Sequence, residues 1–338
     1  MVRFDPEQPR GAIAHASATA WSPDGYEQVS CINPFSPLQW LNTCRSRLGQ
    51  VNCASRNSLY AAALSRLIRK QKQAVASKSD SGEEEGKSCT VLCLGEQSLL
   101  GLLAAKLGAD KVIISCEENK YMRDYLLDCA RQNEIEDKIE FVSQTWASTT
   151  TPLPPLNAVI AEPHFTTALL PWHNLHLWFL LDSLNLDPST VIMPSKCKLF
   201  LLPMHFDNLW KIRAPLQSIE GFKMDHFDQI IHDASADSDQ VVEPQPLWEY
   251  PGTALTEPVE VVEFDLGKEV PGEKMTYTGN LRIESNLPMC GVALWMDWQL
   301  DEETTVSSGP RTKVLSGSKV CWEPDSKQGN QLIPFLCF

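Results

Sequence analysis

Between Cys89 and Glu162 the chain alternates short apolar runs with stretches of helical periodicity, and this alternation limits its possible folds more than any other feature. Thr90–Leu94 (TVLCL) reads as a buried strand followed by Gly95 and Leu99–Leu107 as a helix. Lys111–Cys116 (KVIISC) is a second buried strand that closes on Glu117 and Glu118. Asn119–Asn133 reads as another helix, Lys138–Val142 as a strand, and Asn157–Ala161 as a fourth strand ending at Glu162 and Pro163. Strands that alternate with helices must cross over and pair in parallel, with both faces covered. The pattern predicts an α/β fold with an open parallel sheet. In such sheets ligands sit beyond the carboxyl ends of the strands, where Gly95, Glu117 and Glu162 stand.

The flanks differ in character. Residues 1–50 hold Pro6, Pro9, Pro23, Pro34 and Pro37 with little periodicity, and read as an irregular leader. Over Arg56–Ala76 the pattern turns helical, with Tyr60, Leu64, Leu67 and Ile68 on one face and Arg66, Arg69 and Lys70 opposite. Ser77–Lys87, with Glu83, Glu84 and Glu85, reads as a solvated loop. After Pro194 the runs Lys198–Leu202, Val259–Leu266, Tyr277–Ile283 and Gly291–Gln299 are β-rich, and Asp225–Ala234 is a short helical excursion. These predict an antiparallel sheet or barrel. The 338 residues then divide into a leader (1–50), a first helix with its acidic loop (51–88), a parallel-sheet domain (89–193) and a β domain (194–338).

The formal charge of −14 argues against direct nucleic-acid binding, which needs a basic surface. The acid lies in the two folded parts, at −7 over residues 89–190 and −10 over 191–338, while residues 51–88 carry +3. No apolar run is long enough to cross a membrane, and Met1–Arg10 lacks the pattern of a signal peptide. The eleven cysteines are scattered, with no Cys-x-x-Cys, which fits reduced thiols in the cytosol.

Four places carry candidate chemistry. A loop that cradles a nucleotide needs glycines, and after the first strand only Gly95 is one, with Gln97 and Leu99 in positions where glycine would help. The same loop also reads as a plain strand–helix turn. Glu117, ending the second strand, could accept both hydroxyls of a ribose or be a solvated strand end. Glu162 could grip a guanidinium by two parallel hydrogen bonds or be a simple helix-start acid. His173 and His176 share a helix face, as metal ligands can, but lack a third ligand nearby, so a core or interface helix is the better reading. The tryptophans at 146, 172, 178, 210, 248, 295, 298 and 322 read as packing residues.

Together these segments resemble the protein arginine N-methyltransferases, most closely the second, degenerate C-terminal module of the family's two-module members, from about Gln50 to Gln328. Arg56-x-x-x-Tyr60 resembles the family's opening helix, Val91–Gly95 (VLCLG) its glycine loop, Ile114–Glu117 (ISCE) its ribose-binding strand end, and Ala161–Phe165 (AEPHF) the start of its paired-glutamate loop. Met193-Pro194 resembles the way into the barrel, and Asp207–Ile212, Gly221-Phe222, Val306–Pro310 and Val320–Glu323 through Lys327-Gln328 resemble barrel segments. Leu169–Asn174 (LLPWHN) and Pro246–Pro251 (PLWEYP) look specific to that second module.

The resemblance implies a Rossmann-like S-adenosylmethionine-dependent methyltransferase domain followed by an antiparallel β-barrel-like domain, incomplete here. It implies S-adenosyl-L-methionine as donor, held by Arg56, Gly95 and Glu117, and an acceptor guanidinium held by two glutamates, Glu162 being the first. It also implies Arg-rich protein substrates such as histones, a catalytic module as partner, no membrane, no metal, and a cytoplasmic or nuclear location. The sequence departs from the family at Cys93, Gln97, Leu99 and Ala147, and no Asp or Glu lies between Pro163 and Leu181, so the second clamping carboxylate is absent. One carboxylate cannot fix a guanidinium in two places, so these residues are expected to be vestigial in a pseudo-methyltransferase half. The competing expectations are an active, monomethylating arginine methyltransferase and a scaffold presenting the Trp-rich helix Leu169–Leu181. Past Gln328 the family pattern stops, so a barrel without its closing strands is expected, with an exposed edge and poor solubility.

Overall fold

The structure, a computed structural model, describes residues 49, 51–79, 88–94, 98–116, 120–143, 153–163, 168–212, 215–238, 241–271, 275–324 and 326–332. The leader and the acidic loop thus lie almost wholly outside the described residues.

Helix α1 (Ala54–Ser79) turns Tyr60, Ala63, Leu64 and Ile68 into the core, the apolar face that its sequence period marks. Five strands follow: β1 (Thr90–Leu94), β2 (Lys111–Cys116), β3 (Ile139–Ser143), β4 (Ala158–Ala161) and β5 (Val191–Met193). They pair in parallel in the order β3-β2-β1-β4-β5. The crossovers carry α2 (Leu100–Lys106), α3 (Lys120–Gln132) and α4 (His176–Asp182), each within a few residues of the expected span where one was expected. Because the order reverses between β1 and β4, the crevice of this sheet opens beyond Leu94 and Ala161.

Alternate side chains of β1 enter different cores, as the two-residue strand period requires. Val91 and Cys93 pack with α1 and α2, while Leu92 and Leu94 pack with α4 and the second sheet. Gly101 sits where helix and strand touch: a Cβ there would lie 2.7 Å from the Ile114 side chain, which would have to shift to admit it.

The second sheet is antiparallel. It contains β6 (Lys196–Phe206), β9 (Glu243–Gln245), β10 (Gly252–Ala254), β11 (Val259–Asp265), β12 (Gly291–Gln299), β13 (Thr305–Ser307) and β14 (Gln328–Leu332). The path is β10-β6-β12-β14-β9, with β11 on β6 and β13 on β12. Between β6 and β9 a small excursion carries the hairpin β7 (Ser218–Ile219) and β8 (Phe222–Lys223) and the helix α5 (Asp225–Ser238).

Among the described residues the second sheet stays open, with no strand joining its ends, as expected of an antiparallel β domain that lacks a complete barrel. Three expectations are corrected. Gly329–Leu332, expected to lie past the pattern, instead continues from Gln328 as an interior strand, paired with β12 on one side and β9 on the other. Tyr277–Ile283 alternates as a strand would, yet forms none and is largely exposed. The Trp-rich stretch is not presented outward either. Leu170, Leu175, Leu177, Trp178 and Leu181 are buried, Trp178 donates its indole N–H to the Lys268 carbonyl at 2.6 Å, and Trp172 lies on Gly329.

Candidate functional site

The crevice beyond β1 and β4 is where the sequence placed its candidate residues. Gly95 and Gln97, at the end of β1, and Glu117, after β2, lie outside the described residues, as does Ala147. Arg56 and Glu162 are described, and the fold brings them together. Glu162 directly follows β4, at the switch point, and is buried. Arg56 stands in the first turn of α1, and its guanidinium forms an ion pair with the Glu162 carboxylate, the two side chains being 16% and 6% exposed. One turn further along α1, Tyr60 places its ring under the same guanidinium, with Cζ 4.9 Å from the ring centroid. Burial works against the charged guanidinium, but Tyr60 and Glu162 outweigh it and hold its pKa above the ordinary arginine value.

The two residues were expected to serve different ligands, Arg56 the donor and Glu162 the acceptor. Here they neutralise each other. Tyr60 entered the sequence reading as a core residue and a family marker; its contact with Arg56 could have been read from the i, i+4 spacing, which puts both on one helix face. Gly101 was overlooked as well. The signal for it was a small residue within a helix that must pack on a strand.

The N-terminus of α2 gives little to an anionic or nucleotide ligand. Its cap residue, Leu99, is apolar and 36% exposed and makes no side-chain cap bond. The Ser98 hydroxyl, next to it, accepts the Leu100 N–H at 3.2 Å. Of the residues expected to meet S-adenosylmethionine, Arg56 pairs with Glu162 and the described start of α2 is apolar, while Gly95 and Glu117 lie outside the described residues.

His173 is not arranged as a metal ligand. Its Nδ1 accepts the N–H groups of Leu169 (3.1 Å) and Leu170 (3.2 Å), which places the ring proton on Nε2, and burial lowers its pKa. Among the described residues no group of three His, Cys, Asp or Glu could hold a metal ion. Cys53, Cys89, Cys93, Cys129, Cys197, Cys290 and Cys321 are free thiols, and burial beside Asp110 raises the Cys89 pKa to about 11.

Comparison with known proteins decides the family. No family profile matches the chain. Curated sequences do: protein arginine N-methyltransferase 7 of Drosophila yakuba is 34% identical over 291 residues, which is 84% of this chain and 39% of that protein. The protein of the same name from Cricetulus longicaudatus is 30% identical over 334 residues, 95% of this chain and 46% of its own length. The chain belongs to the protein arginine N-methyltransferase family. It spans less than half the length of these arginine methyltransferase relatives. Solved structures agree at the level of fold. Arabidopsis thaliana protein arginine methyltransferase 10, in an open conformation, superposes with a TM-score of 0.57 at 15% identity, covering 85% of this chain and 84% of that one. The Trypanosoma brucei PRMT1 enzyme–prozyme heterotetramer with AdoHcy gives a TM-score of 0.54 at 14% identity, covering 79% and 78%. The parallel sheet is therefore the Rossmann-like methyltransferase sheet of that fold, followed by an open antiparallel sheet.

Proposed function

We propose that the chain is a non-catalytic arginine methyltransferase module that packs against a catalytic one and contributes structure, not chemistry. The observation that carries this reading is the Arg56–Glu162 pair. Methyl transfer to arginine needs one guanidinium nitrogen held in line with the donor methyl, so most of the catalysis is orientation and charge placement. Glu162 is the only Asp or Glu from position 162 to 181, and the chain's own cation engages it. A lone, engaged carboxylate leaves an incoming guanidinium free to turn, and rate is lost with the orientation.

Further features support a partner. Matching under half of its longer relatives fits a second module. The excursion between β6 and β9 leaves Ile212, Ile219, Phe222, Phe227, Ile230 and Val241 exposed, Phe222 to 73%. Apolar side chains gathered on an ordered excursion have the character of a surface that another protein covers. One structural neighbour is itself an enzyme–prozyme assembly. Free thiols suit a reducing compartment, and cytoplasm or nucleus is the proposed location.

A second reading keeps the activity: an S-adenosylmethionine-dependent, monomethylating enzyme acting on Arg-rich proteins such as histones. It is favoured by the place of Glu162, at the switch point where ligands of such sheets bind. Calorimetric titration with S-adenosylhomocysteine separates the two. The module reading expects no micromolar binding and no methyl transfer to an Arg-rich peptide. Binding lost in Glu117→Ala, with transfer lost in Glu162→Gln, would establish the enzyme instead.

A further inference from the structure

Strand β11 is an edge of the second sheet. Among the described residues it pairs with β6 alone, and no backbone hydrogen bond of Val259–Phe264 points elsewhere. A proline-free edge of this length is a template for one more strand. Its register on β6 gives it two faces. Val259, Val262 and Phe264 lie opposite Leu201, Leu199 and Cys197, on the side of the core shared with α4. Glu260, Glu263 and Asp265 lie opposite Phe200, Lys198 and Lys196, on the other side. Tyr277–Ile283 carries the matching pattern and joins no strand. An extended backbone there puts Tyr277, Leu281 and Ile283 on one side and Thr278, Asn280 and Arg282 on the other. Tyr277 and Leu281 are 37% and 43% exposed. Arg282 pairs with Glu284 at 3.0 Å in full solvent, a contact of little worth. Both ends of the segment are moored: Met275 and Met289 pack on the α4 core, and the Cys290 N–H donates to the Met204 carbonyl at 2.9 Å.

We propose that Tyr277–Ile283 of one copy of this chain adds as a strand to β11 of a second copy, and the reverse, in a two-fold dimer. Complementarity names the occupant. Laid along β11, Leu281 and Ile283 extend the side of Val262 and Phe264, while Arg282 comes to the side of Glu260 and Glu263. Those carboxylates meet Lys198 and Lys196 at 2.9 and 2.7 Å, and each keeps acceptor sites for a further donor. In such an addition main-chain bonds supply affinity and alternate side chains supply specificity. Two-fold symmetry lets each copy give one strand and receive one, so the contact closes at two copies and does not grow into a filament. The moored ends reduce the freedom that the segment loses on pairing. In its own chain the segment stays in water, which leaves both the edge and its complement open to a neighbour.

The test is sedimentation velocity of the full chain from about 1 to 100 µM, paired with hydrogen exchange at both ends of that range. A reversible dimer is expected, with amides of Val259–Asp265 and of Tyr277–Ile283 exchanging more slowly at the higher concentration. Leu281→Lys removes an apolar contact worth about tenfold, and the two-fold dimer loses two, so its dissociation constant should rise about 100-fold. Arg282→Glu, which faces Glu260 and Glu263 with a like charge, should also weaken the dimer. Both positions are exposed, so the fold survives either change. Leu315→Lys, at an exposed apolar residue outside the segment, should dimerise as the parent does. Phe222→Lys tests the rival surface on the excursion. A monomer throughout, a dimer that survives Leu281→Lys, or one that Phe222→Lys dissolves instead, overturns the proposal. The excursion surface is separate from β11, so the module reading and the strand-exchange dimer can each fail alone.

Discussion

Gln328 ties the end of the described chain to three other segments, and replacing it with leucine should loosen all of them. Its side chain is fully buried, at 0% exposure. Nε2 donates to the carbonyls of Ser308 and Ser326, both at 2.8 Å, and to that of Glu323 at 3.2 Å, while Oε1 accepts the Leu247 N–H at 3.2 Å. Leucine is close to glutamine in volume, so the loss is one of polar partners, not of packing. Each buried backbone group left without a partner costs about 1–3 kcal/mol. The two short bonds and the Leu247 amide carry most of this, and because the two serine carbonyls are only part-buried, the lower half of that range, about 1–2 kcal/mol each, applies and predicts a loss of about 3–6 kcal/mol for Gln328→Leu. Urea unfolding followed by tryptophan fluorescence measures it, since Trp295 and Trp322 are buried in the same sheet region. Hydrogen exchange should also show faster exchange at the Leu247 amide and along β14. A variant within about 1 kcal/mol of the parent, with exchange unchanged at Leu247, would refute the reasoning.

Two further outcomes are expected. Gly101→Val forces side-chain atoms against Ile114, where even a Cβ would sit 2.7 Å away, and should cost about 1–3 kcal/mol in unfolding free energy while Ala104→Gly, on the same helix, leaves the α2–β2 contact in place. The depressed pKa of buried His173 makes the unfolded chain bind a proton more readily than the folded one. The neutral imidazole therefore stabilises the fold fully above the ordinary histidine pKa of about 6.5, and this is lost as pH falls through that value toward the lower folded one. The urea midpoint of the parent should consequently drop more between neutral and mildly acid pH than that of His173→Gln, and equal slopes would count against the Nδ1 contacts.

Much of the first sheet was legible because strand and helix periods report burial directly. TVLCL and the VIIS of KVIISC are buried on both faces and became β1 and β2, and the face of α1 marked by Tyr60, Leu64 and Ile68 is the face in the core. The second sheet was legible only in part. Periodicity says which side of a segment is buried and not which neighbour it pairs with. Tyr277–Ile283 has the alternation but no place in the ladder, whereas Gln328–Leu332, polar and apparently outside any pattern, gains one between β12 and β9. Gln328 is tolerated in the interior because it finds four hydrogen-bond partners there.

The sequence by itself determined the class of the first sheet, the carboxyl-end position of Glu162, and the absence of a second acid between Pro163 and Leu181. These are local properties, set by composition and period. The tertiary structure alone decided that Arg56 meets Glu162, because the first turn of a helix and the end of a distant strand come together only when α1 packs across the sheet. A cation and a carboxylate that share a crevice with little water will pair unless something stronger separates them. That pairing turned two candidate ligands for other molecules into partners for each other.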